Sequence, residues 1–355
     1  MPIDDAYKGA LVLTAPSIIG SWALDLLRDL AAAMQPPLEV RLLDKLDEVG
    51  PEEGWPRSLY LTQFPSASVI SIIESGRMPV AAFLDEACDV IGYIRRSSGC
   101  SFMEALRSAT SGAVANRALL HAKTALVVRR SHGGPPGELI ERVFDHLKMR
   151  VPTEATNVIK QKYCGAAPRG SALEDCLQHV PSYKSPGEWS NELSSEEARI
   201  VEQVLKPLVQ MACEDQCVPV KWPRSVFLFG DRPNEPAPMV ADIVGPARSI
   251  YYGPYLFLPP GTYRMRLVAG FSKSAIETPF SAEVYGSTIL LAKAQFQPLA
   301  PGIFQGEFLA VHKLPQDVIE VRFRNEGGAL DGQVGLAWVE FLLLDNGELP
   351  THSVT

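Results

Sequence analysis

Between residues 10 and 212, short apolar runs alternate with longer stretches in which apolar residues recur every three to four positions. The runs ALVLT (10–14), LEVRLL (38–43), SLYLT (58–62), PVAAFL (79–84) and TALVV (124–128) have the length and character of buried strands. Segments 21–34, 66–75, 86–97, 101–122, 136–148 and 194–212 carry the helical period. This alternation predicts an α/β domain, a parallel sheet with helices on both faces. Ser194 and Glu197 form a capping box that opens the last helix, and Pro207 predicts a kink inside it. Residues 149–193, rich in Gly, Pro and Ser, predict irregular surface structure.

Past Trp222 the period changes to two. SVFLFG, YLFLPPG, TYRMRLVAGF, PFSAEVYG, TILLAKAQF, GIFQGEFLAV, VIEVRFRN and VGLAWVEFLLL are short alternating runs separated by Gly, Pro and Asn turns. They predict an antiparallel β-sandwich. Pro219, Pro223, Pro233, Pro236 and Pro238 crowd the segment between the two patterns. The expected organisation is an α/β domain over 1–212, a Pro-rich linker over 213–244 and a sandwich over 245–355. A chain of 355 residues has room for two such cores.

Composition narrows the class. The chain is 46% hydrophobic and 21% charged, and its apolar runs fall short of the ~20 residues that span a bilayer. The start, MPIDDAYKG, lacks the basic-then-apolar pattern of a secretory signal, which predicts a cytoplasmic protein. Six cysteines form no CxxC pair, and no histidine stands at zinc-site spacing from them, so free thiols and no metal are expected; Cys213 and Cys217 stand one helical turn apart. A net charge of −8 argues against nucleic acid as a partner. No G-x-S-x-G, HExxH or P-loop lysine motif is present, and no catalytic residue is assigned.

The segment TAPSIIGSW (14–22) lies between a strand and a helix, where backbone N–H groups hold phosphate in many α/β proteins. It resembles the phosphosulfate loop of sulfotransferases, T-x-P-[KR]-S-G-[ST]-[ST]-W, through Thr14, Pro16, Ser21 and Trp22. Ser17, Ile18 and Ile19 replace the family's basic residue, serine and glycine, and Gly20 follows them. SLYLTQFP (58–65) resembles the strand that carries the family's histidine base, with Leu61, Thr62 and Gln63 in place of K-T-H. PVAAFLDEACDVIGY (79–93) resembles the strand and helix whose arginine and serine hold the donor's 3′-phosphate. Leu84 and Gly92 take those places, with Asp85, Asp89 and Tyr93 nearby. Gly187 and Trp189 match the family's late G-x-W segment. The resemblance implies a sulfotransferase frame from which the groups that grip phosphoadenylyl sulfate are missing.

Bland readings stand beside the sharp ones. Ser21 sits where a hydroxyl caps a helix, and Trp22 and Trp189 suit core packing. Asp85 and Glu86 follow a parallel strand at its carboxyl end, where such sheets place sites, yet they also suit a helix start. His121 and His146 fall on helical patterns, whereas His132 lies on a loop beside Arg129, Arg130 and GGPPG. A relocated donor grip would draw on Arg95, Arg96, Arg129 and Arg130.

SIYYGPYLFLPPGTYRMRLVAGF (249–271) resembles, through Gly253-Pro254-Tyr255 and Pro260-Gly261-Thr262-Tyr263, sandwich modules found beside bacterial polysaccharide-assembly enzymes, and is similar to carbohydrate-binding modules, which implies a jelly-roll-like sandwich. A sugar site needs an aromatic face and planar polar groups. Tyr251, Tyr252, Tyr255, Arg264, Arg266, Arg322, Arg324, Asn325 and Trp338 supply those types. The resulting expectation is a glycan-recognition protein on a degenerate sulfotransferase-like scaffold, with a polysaccharide or oligosaccharide as partner and no cofactor. One alternative is an active transferase with a relocated donor site, for which phosphoadenylyl sulfate is the cofactor. The other is an assembly protein with protein partners.

Overall fold

In the computed structural model, which describes residues 9–43, 58–122, 125–165, 172–181, 183–214 and 216–344, the apolar runs of the first half become a five-stranded parallel sheet. The order along the chain is β1 (Ala10–Thr14), α1 (Ile18–Ala33), β2 (Glu39–Leu42), β3 (Ser58–Thr62), α2 (Ala67–Ser75), β4 (Val80–Leu84), α3 (Ala87–Ser98), α4 (Phe102–Asn116), α5 (Ala118–His121), β5 (Ala125–Arg129), α6 (Pro136–His146), α7 (Thr153–Cys164) and α8 (Leu173–Leu177). Every residue of β1, β3 and β4 is buried, as expected of strands covered on both faces.

The spatial order is β2-β3-β1-β4-β5. The chain leaving β1 crosses toward β2, whereas the chain leaving β4 crosses toward β5. The crevice where connections diverge therefore lies between the carboxyl ends of β1 and β4, the place where open α/β sheets put ligands. Helix α1 packs on the sheet through Ile18, Ile19, Trp22, Leu26, Leu27 and Leu30, all at most 2% exposed. Their i, i+3/i+4 spacing makes one apolar stripe.

Composition predicts an irregular 149–193, but α7 and α8 lie within it. Of α7 only Ile159 is fully buried, so the helix carries little periodic signal and is held by packing against α1 and α6. The single helix read at 101–122 is divided at Arg117 into α4 and α5.

The described residues of the second compact unit fall within 106–114 and 195–344. It begins with α9 (Ser195–Ile200), a π-helical turn (Val201–Leu205) and α10 (Lys206–Glu214). Proline at 207 cannot donate to the carbonyl four residues back and its ring crowds that turn. The wider turn just before it, closed by a bond from Lys206 N–H to Val201 O, accommodates both problems.

The sandwich strands are β6 (Val220–Pro223), β7 (Leu228–Phe229), β8 (Arg232–Pro236), β9 (Ala241–Asp242), β10 (Arg248–Leu256), β11 (Gly261–Phe271), β12 (Phe280–Gly286), β13 (Ile289–Phe296), β14 (Gly302–His312), β15 (Ile319–Asn325) and β16 (Gln333–Leu344). One antiparallel sheet runs β13-β12-β15-β10-β7-β8. The other runs β14-β11-β16-β6, with β9 also paired to β16. Their inner faces share a core that includes Trp222, Tyr251, Tyr263, Phe280, Phe323 and Phe341.

Two boundaries differ from expectation. The segment 213–244 is not a linker, because it supplies β6 to β9. Pro233 and Pro236 lie in β8, an edge strand exposed throughout, where a missing N–H is tolerated. The middle of α4 also belongs to this unit. Arg107 Nε donates to Pro254 O at 3.1 Å, and Phe257 N–H donates to Thr110 Oγ1 at 3.5 Å. Among the described residues no helix is long and apolar enough to cross a membrane, and no group of three His, Cys, Asp or Glu side chains has the form of a metal site. Cys88, Cys100, Cys164, Cys176 and Cys217 are free thiols; the start of the chain and the side chains of His121 and Cys213 lie outside the described residues.

Candidate functional site

The loop after β1 is closed rather than open. Pro16, Ser17, Ile18, Ile19 and Gly20 are all buried, and Ser17, not Ser21, is the N-cap of α1. Its Oγ accepts from Gly20 N–H at 3.2 Å, using one of the donors that a phosphate would need. Gly20 is demanded by the turn, because a Cβ there would lie 2.0 Å from Ala15 O. Ser21 Oγ and Tyr93 Oη share a hydrogen bond at 2.5 Å, and the Trp22 ring packs edge-on against Phe83 and Tyr163. Ser21 and Trp22 thus tie α1 to its neighbours.

At the carboxyl end of β4 the structure gathers a charged cluster. Arg130, just after β5, lies with its Nη1 at 3.7 Å from Asp85 Oδ2 and 3.7 Å from Asp89 Oδ2. Its other edge forks onto Glu174, Nε to Oε2 at 3.0 Å and Nη2 to Oε1 at 2.5 Å, and Nη2 also donates to Lys184 O at 2.6 Å. Tyr183 stacks under the guanidinium and donates to Glu174 Oε1 at 2.7 Å. The side chains of Arg130, Asp85 and Asp89 are at most 2% exposed.

Burial pushes Asp85 up to about 7, against the pull of Arg130, and Asp89 is likewise raised by burial. A cation that would face a bound anion in an open site here faces three carboxylates of its own chain. Trp189 completes the closure, its buried ring lying against Gly92.

Arg95 and Arg129, two of the expected substitutes, make none of the contacts of this cluster described above. Arg95 is in the last turn of α3, about 12 Å along the helix from Ala87. Arg129 ends β5 opposite Leu84, and neither is without a partner. His132 is exposed and bonded to Ser131, and His146 Nε2 bonds Val80 O at 2.8 Å as a structural group. At the end of β3, Thr62 is buried and Gln63 half-buried. The signals for Glu174, Tyr183 and Lys184 are absent from the sequence, since only the fold brings residues 174–184 to residue 130.

The sandwich splits the expected sugar residues between two faces. Tyr252 on β10 stands directly opposite Arg322 on β15, which stands opposite Glu283 on β12, which stands opposite Lys293 on β13. Directly opposed residues share a sheet face, and the next row, Tyr251, Phe323 and Ala282, is buried. The row is therefore the outer face of the six-stranded sheet. Arg322 forks onto Glu320 at 3.0 and 2.8 Å and covers the Tyr285 ring at 4.2 Å.

Tyr255 joins this face, 6.3 Å from the Tyr252 ring. Its Oη donates to Glu320 at 3.1 Å, and Arg107 lies over its ring. Burial and the Glu320 carboxylate push its hydroxyl up to about 12. Tyr252, Tyr255 and Arg322 are half-buried.

Arg264 and Trp338 lie on the other sheet, beside Glu307 and Lys221 respectively, and do not join them. Asn325 is fully buried in a turn network, donating to Pro246 O and Gly327 O, and Tyr251 is a core residue.

No protein-family model and no curated protein matches the sequence. Among solved structures, the chain is similar to mouse sulfotransferase SULT7A1 complexed with PAP, at 11% identity over 59% of this chain and 85% of that chain, with a TM-score of 0.38. It is similar to a carbohydrate binding module of lichenase 5A from Cellvibrio mixtus in complex with cellotriose, at 7% identity over 35% of this chain and 97% of that chain, with a TM-score of 0.24. It is also similar to the insecticidal delta-endotoxin Cry8Ea1 from Bacillus thuringiensis, at 16% identity over 24% of this chain, with a TM-score of 0.19. The match spans 16% of that toxin's length. With TM-scores below 0.5, the fold assignment rests on the two sets of sheets themselves.

Proposed function

We propose that the chain is a glycan-recognition protein whose sugar site is the outer face of the six-stranded sheet. The observation that carries this reading is the Tyr252–Arg322 pair, an aromatic ring and a guanidinium fork side by side on adjacent strands. The ring offers a platform to the apolar face of a sugar, and Nη1, the guanidinium nitrogen that Glu320 does not engage, can donate to sugar hydroxyls or a uronic carboxylate. Glu320 holds the arginine in place through two bonds. Tyr255 extends the platform.

The α/β unit serves in this reading as a sulfotransferase-like scaffold without donor chemistry. Arg130 compensated by Asp85, Asp89 and Glu174, together with the buried loop 16–20, supports it. A phosphosulfate donor would have to displace those ion pairs while gaining no free cation from Ser17, Leu84 or Gly92. A cytoplasmic place in bacterial surface-polysaccharide biology belongs to the same proposal, supported by the sequence resemblance of 249–271.

The test is a glycan array of acidic and neutral oligosaccharides probed with the full chain, beside Tyr252→Ala and Arg322→Ala variants. Weak binding is expected, because a shallow face gains few contacts to offset the ordering of a flexible sugar. Both variants should lose it. Binding that survives both changes removes the site. Calorimetry with phosphoadenylyl sulfate tests the scaffold reading independently, and a micromolar dissociation constant would restore the transferase.

A further inference from the structure

Between the two sheets, on the side where β13 and β14 are the outermost strands, the sandwich core is not filled. A cavity of about 410 Å³ opens there, far larger than the voids a close-packed interior leaves. Its origin is legible in the side chains. Ala282 and Ala294 oppose each other on one sheet, and Ala269 and Gly306 line the other. Four small residues meet where a sandwich ordinarily interdigitates large ones.

The floor and walls are Phe271, Phe296, Phe304 and Phe308, with Leu267. At the mouth the chain leaves Leu299 82% exposed, apolar surface that folding alone does not explain.

From this geometry we infer a second binding site, for a neutral and mainly apolar small molecule inserted between the sheets. The volume is that of a typical ligand cavity. Neutrality follows from the lining, which among the described residues has no lysine, arginine or histidine, while its one carboxylate, Glu307, is engaged by Arg266 at 3.0 Å. An anionic head group finds no counter-charge there. The amides of Gln295 and Gln305 at the rim supply hydrogen bonds for a hydroxyl or carbonyl. This site is separate from the Tyr252–Arg322 face and does not depend on it.

The test uses the full chain and N-phenyl-1-naphthylamine, an uncharged fluorophore that brightens in apolar surroundings. Saturable enhancement with one site per chain is expected. Ala294→Phe, which fills the void, should weaken binding at least tenfold, and Ala294→Leu should weaken it less. Melting curves of both variants identify any that fail to fold, and Ala294→Leu, the smaller change, carries the test where Ala294→Phe does not fold.

Decanol should displace the dye more effectively than decanoate; equal displacement overturns the assignment of a neutral ligand. Absence of enhancement, or enhancement untouched by both substitutions, overturns the site. Sedimentation velocity covers the remaining occupant. A dimer that Ala294→Phe converts to monomer would make the cleft a self-association surface and would also overturn the proposal.

Discussion

A Cβ placed on Gly92 would stand 2.4 Å from the ring of Trp189, so the indole occupies the ground over which a side chain at position 92 would extend. The contact joins the middle of α3 to the turn at Glu188–Glu192, and Trp189 is 1% exposed. A serine at this position and the buried ring exclude each other.

Gly92→Ser should therefore destabilise the protein by about 1–3 kcal/mol, the usual cost of overpacking a close-packed site. Trp189→Ala alone should cost about 3–5 kcal/mol through the cavity it leaves. The double variant should lose less than the sum of the two, since the clash disappears with the ring. Urea denaturation measures all three. A neutral Gly92→Ser would show that the ring has room to move.

The Asp85 carboxyl, raised by burial from its ordinary 3.8 to about 7, makes stability depend on pH in a stated direction. Between those values the folded chain holds a proton that the unfolded chain has released. Raising the pH therefore favours unfolding, and the stabilisation is full below about 4 and lost through about 7. Asp85→Asn removes the titration, so its denaturation midpoint should fall less than that of the wild type from pH 4 to 8. Parallel profiles for the two proteins would contradict the shift.

The strands β1, β3 and β4 are legible in sequence because burial on both faces leaves uninterrupted apolar runs. The charged cluster is only half legible. Asp85 follows a recognisable strand end and Asp89 lies in the first turn of the helix after it, but it is Arg130 that is buried, because the chain enters a 3₁₀ turn at Arg130–His132 as β5 ends. Glu174 comes from α8, inside a stretch whose composition hides its helices. Ser21 reads as a cap from its hydroxyl alone. The helix starts one turn earlier, at the cap Ser17, because Ile18 and Ile19 are drawn into the core. Local patterns report how a segment meets water. They do not report which distant segment supplies the partner.

Arg130→Met should cost about 3–5 kcal/mol, since it strands buried carboxylates without their cation. Arg130→Lys should recover little of this, because one ammonium cannot reproduce a fork that serves Glu174 through two bonds and Asp85 and Asp89 from its other edge. Thermal and chemical denaturation check both. Wild-type stability in Arg130→Met would mean that the residue is kept for a ligand and not for the fold.

Tyr255 adopts φ +65°, a conformation in which a side chain costs roughly 1–2 kcal/mol and glycine almost nothing. The structure around it holds the ring there: Glu320 accepts from its hydroxyl, Arg107 covers one face and Tyr252 packs at its edge. Backbone cost of this kind persists where surrounding contacts over-determine the geometry, and it concentrates at binding surfaces. Stability and recognition should then separate. Tyr255→Gly and Tyr255→Ala both delete the ring, but only alanine retains the unfavourable backbone, so the glycine variant should be the more stable by about 1 kcal/mol. Both should lose the aromatic platform, and any glycan bound by the wild type should bind them more weakly. Tyr255→Phe keeps the ring, gives up the bond to Glu320 and should retain most of the affinity. If the alanine variant is the more stable of the two, the turn does not hold a positive φ; if the glycine variant binds as well as the wild type, Tyr255 is a packing residue and the sugar platform is Tyr252 alone.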